Sequence, residues 1–266
     1  MSPFLARLDR WLAVNRPAYH AGLMPGASEA DIDELARDVG GDLPPLLREL
    51  FTWHNGQNGD NDGCLESLWF LMSTEDIAAA MEDMVWVKET QGFEDLWWGA
   101  GWVPFLANIY GDYVCVDLQG AFDGKPGQLI EFRSKAESRN ILYPSLEAWL
   151  ETFVIALETG MFEEAGEDYR PGCWDPVDDE AYEAFIAGRY PGYPIEACIP
   201  DSPDDIQDES FSDFVEKFHK EELVHAVDLD KLRAALRGTG LGNNVVDGAF
   251  DRLIEVRTHR KNTEEE

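Results

Sequence analysis

The sequence predicts an α+β protein in which helices surround a short antiparallel meander. Three observations carry this. Apolar residues recur at helical spacing through the first third of the chain. Between Trp102 and Phe132 the period changes to extended runs separated by turn residues. A strongly apolar helical pattern, Leu146 to Leu157, follows directly. Parallel strands need crossovers of about a dozen residues or more, and the spacers here are short turns, so the meander is antiparallel.

Leu5, Leu8, Trp11 and Leu12 mark a first amphipathic helix that closes before Pro17. Ser28 and Asp31 form a capping-box pattern, continued by Ile32, Leu35, Ala36 and Val39 and stopped at Gly40-Gly41. Pro44 and Pro45 sit where a helix's first turn tolerates a missing N–H, and Leu46, Leu47, Leu50 and Phe51 make its apolar stripe. Asn55-Gly56 is predicted to cap that helix, since both residues tolerate the left-handed conformation. Leu68 to Met72 reads as a short strand. Ser73 and Asp76 cap a helix carrying Ile77, Ala80, Met81 and Met84.

Trp102 to Asn108 is the first strand of the meander, with Pro104 marking an edge or a bulge. Gly111-Asp112 turns the chain into Tyr113 to Leu118. Asp123-Gly124 and Pro126-Gly127 punctuate before the alternating strand Gln128 to Phe132. Leu146, Trp149, Leu150, Phe153, Val154 and Leu157 then form a helix that ends at Gly160. Residues 1–160 are thus predicted as one α+β domain.

Beyond Gly160 the composition shifts. From Glu163 to Glu222 the bases are Arg170, Arg189, Lys217 and Lys220, against many acids, and six prolines break the stretch. Helical patterns centre on Tyr182, Phe185 and Ile186, then on Phe211, Phe214, Val215 and Phe218. Two more involve Leu229, Leu232 and Leu236, and Val246, Phe250, Leu253 and Ile254. Residues 161–266 are predicted as an acidic, mainly helical extension or small subdomain.

The chain has 266 residues, 44% hydrophobic and 12% aromatic, enough apolar material for a sizeable core. Lys plus Arg number 21 against 53 Asp plus Glu, a formal net charge of −32. Such a field repels nucleic acid and anionic membranes and attracts basic partners, although solubility or a salt-adapted proteome accounts for it equally. Cys64, Cys115, Cys173 and Cys198 form no C-x-x-C pair, which suits a reducing compartment and signals no zinc site. The first sixteen residues are interrupted by Arg7, Asp9 and Arg10, unlike a signal peptide, and no stretch has the roughly 18 apolar residues of a membrane span. A cytoplasmic protein is expected.

Asn58, Asp60, Asp62 and Gly63 match the first half of a calcium loop, but Trp69 stands where the bidentate Glu belongs. Asp60 and Asp62 are cation candidates; a solvated turn explains them as well. The glycines 238, 240 and 242 follow a helix rather than a strand, the wrong context for cradling phosphate. The five histidines show no metal-ligand spacing, and His54, bordering Asn55-Gly56, reads as a capping or packing residue. No serine or cysteine lies in a nucleophile motif. The expectation is a protein without catalytic residues, cofactor or metal. Trp97-Trp98, beside Glu94-Asp95, reads either as an interface anchor or as core beneath the sheet.

The succession of these pieces resembles the SUKH superfamily, and within it the bacterial relatives of the yeast cell-wall-assembly regulator. The residues that carry the resemblance are Ser28 to Val39, Leu43-Pro44, Leu50-Phe51 and Asn55-Gly56. They continue with Trp102-Val103-Pro104-Phe105, Gly111-Asp112, Val116-Asp117-Leu118, Gly127-Gln128, and Ser145, Leu146, Trp149 and Leu150. The similarity covers about residues 25–160 and stops before Glu163. It implies a curved, largely antiparallel sheet flanked by helices. It also implies an immunity protein that binds and neutralises a cognate toxin, many such toxins being nucleases or other enzymes directed at nucleic acids or nucleotides. No catalytic residues carry over. The alternative is a regulatory scaffold in cell-envelope or signalling assembly. An acidic surface could occupy a toxin's basic cleft, and the candidate contacts are Glu94, Asp95, Trp97, Trp98, Asp175, Asp178, Asp179, Asp204, Asp205 and Asp208.

Overall fold

The computed structural model describes residues 1–58, 63–93, 96–136, 138–166 and 172–198. Two compact units divide the chain, Met1–Asp201 and Ser202–Glu266. The second lies outside the described residues, and with it the predicted helices around Phe214, Leu232 and Phe250. The first unit runs past residue 160, where the composition changes.

Four helices come first: α1 (Pro3–Asn15), α2 (Pro17–Ala21), α3 (Glu29–Asp38) and α4 (Pro45–Trp53). Ser2 caps α1, and Arg16, with φ −134° and ψ 57°, breaks the chain before Pro17 opens α2. The predicted box at α3 is complete: Ser28 accepts from Asp31 N, and the Asp31 carboxylate accepts from Ser28 N. Helix α4 buries Leu46, Leu47, Leu50, Phe51 and Trp53. Burying side chains of this size is worth roughly 1.5–3 kcal/mol each before entropy is charged. Strand β1 (Phe70–Leu71) leads into α5 (Thr74–Gln91), boxed by Ser73 and Asp76 and ended by Gly92 in the left-handed region at φ 68°.

The meander follows as β2 (Trp102–Ala107), β3 (Tyr113–Asp117), β4 (Gln128–Phe132) and β5 (Ser138–Tyr143). Helix α6 (Leu146–Glu158), the ribbon β6 (Phe162–Glu164) and β7 (Trp174–Pro176), helix α7 (Asp179–Arg189) and strand β8 (Ile195–Cys198) complete the described elements. The main sheet has six strands in the order β1-β2-β3-β4-β5-β8, every neighbouring pair antiparallel. The α+β class and the antiparallel meander predicted from sequence are present. Pro104 does mark a bulge: the register slips between Pro104 and Leu106, so Phe105 and Leu106 both enter the same layer.

Both faces of the sheet are covered, which is why β2 reads as a continuous apolar run and why every residue of β4, Gln128 and Glu131 included, is buried. On the first face lie the aliphatic residues of α1, α4 and α6 with Val103, Phe105, Val116 and Leu129. The second face is smaller and aromatic: Met84 from α5, with Trp98, Trp102, Cys115, Ile130, Phe132 and Ile141. Arg139 closes that face. It is fully buried, with Nη1 donating to Ala136 O at 2.7 Å and Ser138 O at 2.9 Å and Nη2 donating to Trp97 O at 2.9 Å. Its guanidinium lies 4.5 Å from the centre of the Phe132 ring. Burial lowers its pKa to about 10, which still leaves it cationic at neutral pH.

Asn55-Gly56 does more than end α4, and the predicted role is corrected. The C-cap is His54, in an extended conformation, while Asn55 Oδ1 accepts from Thr74 N at 2.8 Å. The asparagine thus caps α5 rather than its own helix. Gly56 has φ +82°, and a Cβ there would stand 2.6 Å from Ser73 N. Only glycine permits both the conformation and the approach.

Candidate functional site

Two polar clusters and one groove stand out among the described residues. The first cluster is assembled by α1, α2 and the end of α4. Helix α1 buries Leu5, Leu8 and Leu12, which leaves Asp9 at the edge of that stripe. The break at Arg16 folds α2 back so that His20 Nε2 lies 2.9 Å from Asp9 Oδ1. Trp53, the last residue of α4, donates its indole N–H to the same Asp9 oxygen at 2.9 Å. His54 follows it, with Nδ1 2.6 Å from Met24 O and its ring edge-on to His20, centroids 5.7 Å apart.

Asp9, His20 and His54 each offer a ligand atom, and these atoms lie within 4.8 Å of one another. The side chains of His20 and Asp9 remain 27% and 36% exposed, so the cluster is open to solvent. Burial pushes the Asp9 carboxyl up, but the hydrogen bonds from His20 and Trp53 outweigh it and hold the group below the usual carboxylate range. Burial lowers the His54 pKa, partly offset by its bond to Met24.

The second cluster is more enclosed, a half-buried Glu66 set against the buried rings of Trp149, Tyr143 and Tyr182. Trp149 of α6 donates to Glu66 Oε2 at 2.7 Å, and Tyr182 of α7 donates to Glu66 Oε1 at 2.9 Å. The Tyr143 hydroxyl sits 3.4 Å from that of Tyr182. Burial pushes the Glu66 carboxyl above its ordinary value, against the opposing pull of the two donors. Burial raises the Tyr143 and Tyr182 hydroxyls too. The arrangement joins β5, α6 and α7 and is structural.

The groove runs between the starts of α4 and α6. Its two ends share Pro45 and Glu147; Phe4, Leu46 and Leu150 line one end, Val116, Leu118 and Leu146 the other. Asp42, Glu49 and Glu147 set acids along this apolar floor.

Among the described residues, those predicted as toxin contacts are not brought together. Trp98 is 1% exposed and fills the second-face core, edge-on to Trp102 and Phe132, so it offers no surface. Gly99 makes this packing possible, since a Cβ there would stand 2.6 Å from Trp102 Nε1. Trp97 is half-buried, stacked on Phe93 with centroids 4.4 Å apart. Asp178 caps α7 by accepting from Ala181 N at 2.9 Å, and Asp179 lies exposed in the first turn of that helix. Both acids complement the helix dipole, which is sufficient reason for their place there. Asp175 is partly buried in β7. Trp97 belongs to the second face, whereas β7 and α7 pack on the first-face core. Asp60, Asp62, Glu94, Asp95, Asp204, Asp205 and Asp208 lie outside the described residues. The Asp9, His20 and His54 cluster was missed from sequence, because no local spacing links residues on three separate elements.

Comparison with known proteins places residues 26–152 in a match to the SMI1 / KNR4 family (SUKH-1). A protein of Debaryomyces hansenii named KNR4/SMI1 homolog 2 is 24% identical over 224 residues, covering 64% of this chain and 37% of that protein. The Schizosaccharomyces pombe cell wall biosynthesis/cell cycle regulator smi1 is 23% identical over 180 residues, covering 58% of this chain and 35% of that protein. The matches therefore span little more than a third of these fungal relatives. Neither is named for toxin neutralisation. Among the described residues, no helix is long and apolar enough to cross a membrane.

Proposed function

From the premise that residues 26–152 belong to the SMI1 / KNR4 family (SUKH-1), we propose that this protein works in the cytoplasm by stoichiometric binding, without turnover. Its partner on this reading is a cognate antibacterial toxin with a basic surface, such as an enzyme that holds nucleic acid or nucleotides. The observation that carries the reading is the net charge of −32. A cleft built to grip phosphates must be basic, and an acidic inhibitor both complements it and finds it quickly. The groove bordered by Asp42, Glu49 and Glu147 supplies an apolar floor with an acidic rim, the pairing of packing and charge that such a contact needs.

Co-expression with the product of the adjacent gene tests this. Rescue of growth and co-purification of the pair support it; a harmless neighbour, or a pair that does not associate, removes it. Association should also slow markedly as salt rises, because exposed charges are screened beyond roughly 8–10 Å near physiological ionic strength.

A second reading, a regulatory scaffold in cell-envelope or signalling assembly, is favoured by the name of the fission-yeast relative, a cell wall biosynthesis/cell cycle regulator. Recovery of several unrelated envelope proteins in pull-downs, from a genomic setting without toxin genes, would select it over the first.

A further inference from the structure

We propose that Asp9, His20 and His54 form a binding site for a divalent first-row transition metal ion, with zinc as its natural probe. Three features of the geometry carry this, none of them dependent on the binding function proposed above. The ligand atoms already converge: Asp9 Oδ1 and His20 Nε2 are 2.9 Å apart, and the whole set lies within 4.8 Å. Zinc–ligand bonds of about 2.0–2.1 Å in a tetrahedron put ligand atoms roughly 3.4 Å apart, a spacing bracketed by the separations already present, so the set closes by side-chain adjustment.

The tautomer of His54 is settled by its neighbour. A carbonyl oxygen only accepts, so Nδ1 carries the proton shared with Met24 O, and Nε2 keeps its lone pair. A histidine whose other ring nitrogen donates to a backbone carbonyl is the arrangement that orients an imidazole toward a metal. The Asp9 carboxylate is likewise held by a group that is not itself a ligand, the Trp53 indole N–H. His20 presents Nε2 to the metal in the tautomer that carries its proton on Nδ1.

The chemistry of the donors selects the ion. Two imidazoles and one carboxylate suit zinc and its neighbours, and disfavour calcium and magnesium, which take oxygen ligands. Because His20 and Asp9 are about a third exposed, the remaining coordination position faces solvent and is filled by water. The ion would join α1, α2 and the end of α4, three elements otherwise held at this edge by hydrogen bonds.

The test uses the full chain, without a histidine tag and stripped of metal by chelator. Titration with zinc followed by calorimetry should show one saturable equivalent and a raised unfolding temperature. Cobalt(II) should give the visible d–d bands of a low-symmetry nitrogen–oxygen site. His20→Gln, His54→Gln and Asp9→Asn should each weaken zinc binding about tenfold or more. Circular dichroism of the metal-free variants checks that each is folded; should one fail to fold, the other two decide. No saturable zinc binding overturns the proposal. So does binding that survives in folded His20→Gln and His54→Gln, or that is lost on substituting His219, His225 or His259 instead.

Discussion

Glu66 and Asp9 are both carboxylates that accept a hydrogen bond from a tryptophan indole, at 2.7 Å from Trp149 and 2.9 Å from Trp53. Their surroundings make them different objects. Glu66 is closed in by Trp149 and Tyr182, each spending its donor on it, and burial pushes its carboxyl up. Asp9 keeps a third of its side chain in solvent, gathers two histidines, and is held below the ordinary carboxylate range. The contrast separates a polar group used as a joint from one left able to take a ligand. A network whose donors are buried is costly to disturb, whereas an open one falls back on water.

Glu66→Leu should break that contrast most severely. It strands the Trp149 and Tyr182 donors at about 1–3 kcal/mol each, so a loss of about 3–4 kcal/mol in denaturant unfolding is expected. A loss under about 1 kcal/mol would show that water takes over the freed donors. Gly56→Ala comes next, because Gly56 sets the chain path just after His54. With φ +82° and a Cβ 2.6 Å from Ser73 N, about 2–3 kcal/mol should be lost, and the Asn55 cap on α5 with it.

Glu66→Gln sharpens the comparison through pH. The folded carboxyl has a raised pKa, while the unfolded one titrates near its ordinary 4.5. The folded state therefore holds its proton longer. The contribution of Glu66 to stability is fully present below about pH 4.5 and is lost as pH rises through the folded value. Glutamine keeps an acceptor for Trp149 and can donate to the Tyr182 oxygen, so the variant should match or exceed wild type by up to about 1 kcal/mol at pH 7–8. That gain should vanish at low pH in parallel melts. Asp9→Ala without metal is the smallest effect, about 1 kcal/mol or less, since water replaces both lost partners. A larger loss would place Asp9 with Glu66 as a structural joint.

What could be read directly was whatever is decided within a few residues. The boxes at Ser28/Asp31 and Ser73/Asp76 are three-residue hydrogen-bond patterns, and both are in place. Strands β2, β3 and β4 declared themselves because each is a β-rich or alternating run bounded by turns. Strand β5 did not, since it opens on Ser138, Arg139 and Asn140. Its buried arginine is tolerated because carbonyls of Ala136, Ser138 and Trp97 converge on the guanidinium. Strand β8 was equally hidden, because it pairs at the sheet edge with β5, far earlier in the chain.

By itself the sequence determined the class of fold, the order of its meander, the starts of its capped helices and the sign of its electrostatic field. These follow from periodicity, three-residue capping and formal charge, none of which needs a distant partner. Tertiary structure alone decided which residues meet. It sent Trp98 into the core, turned Asn55 from the cap of one helix into the cap of another, and set Glu66 between the donors of Trp149 and Tyr182. It also set Asp9 beside His20 and His54. Contacts between residues 11, 19 or 83 positions apart depend on how helices and strands pack, and no local pattern records that.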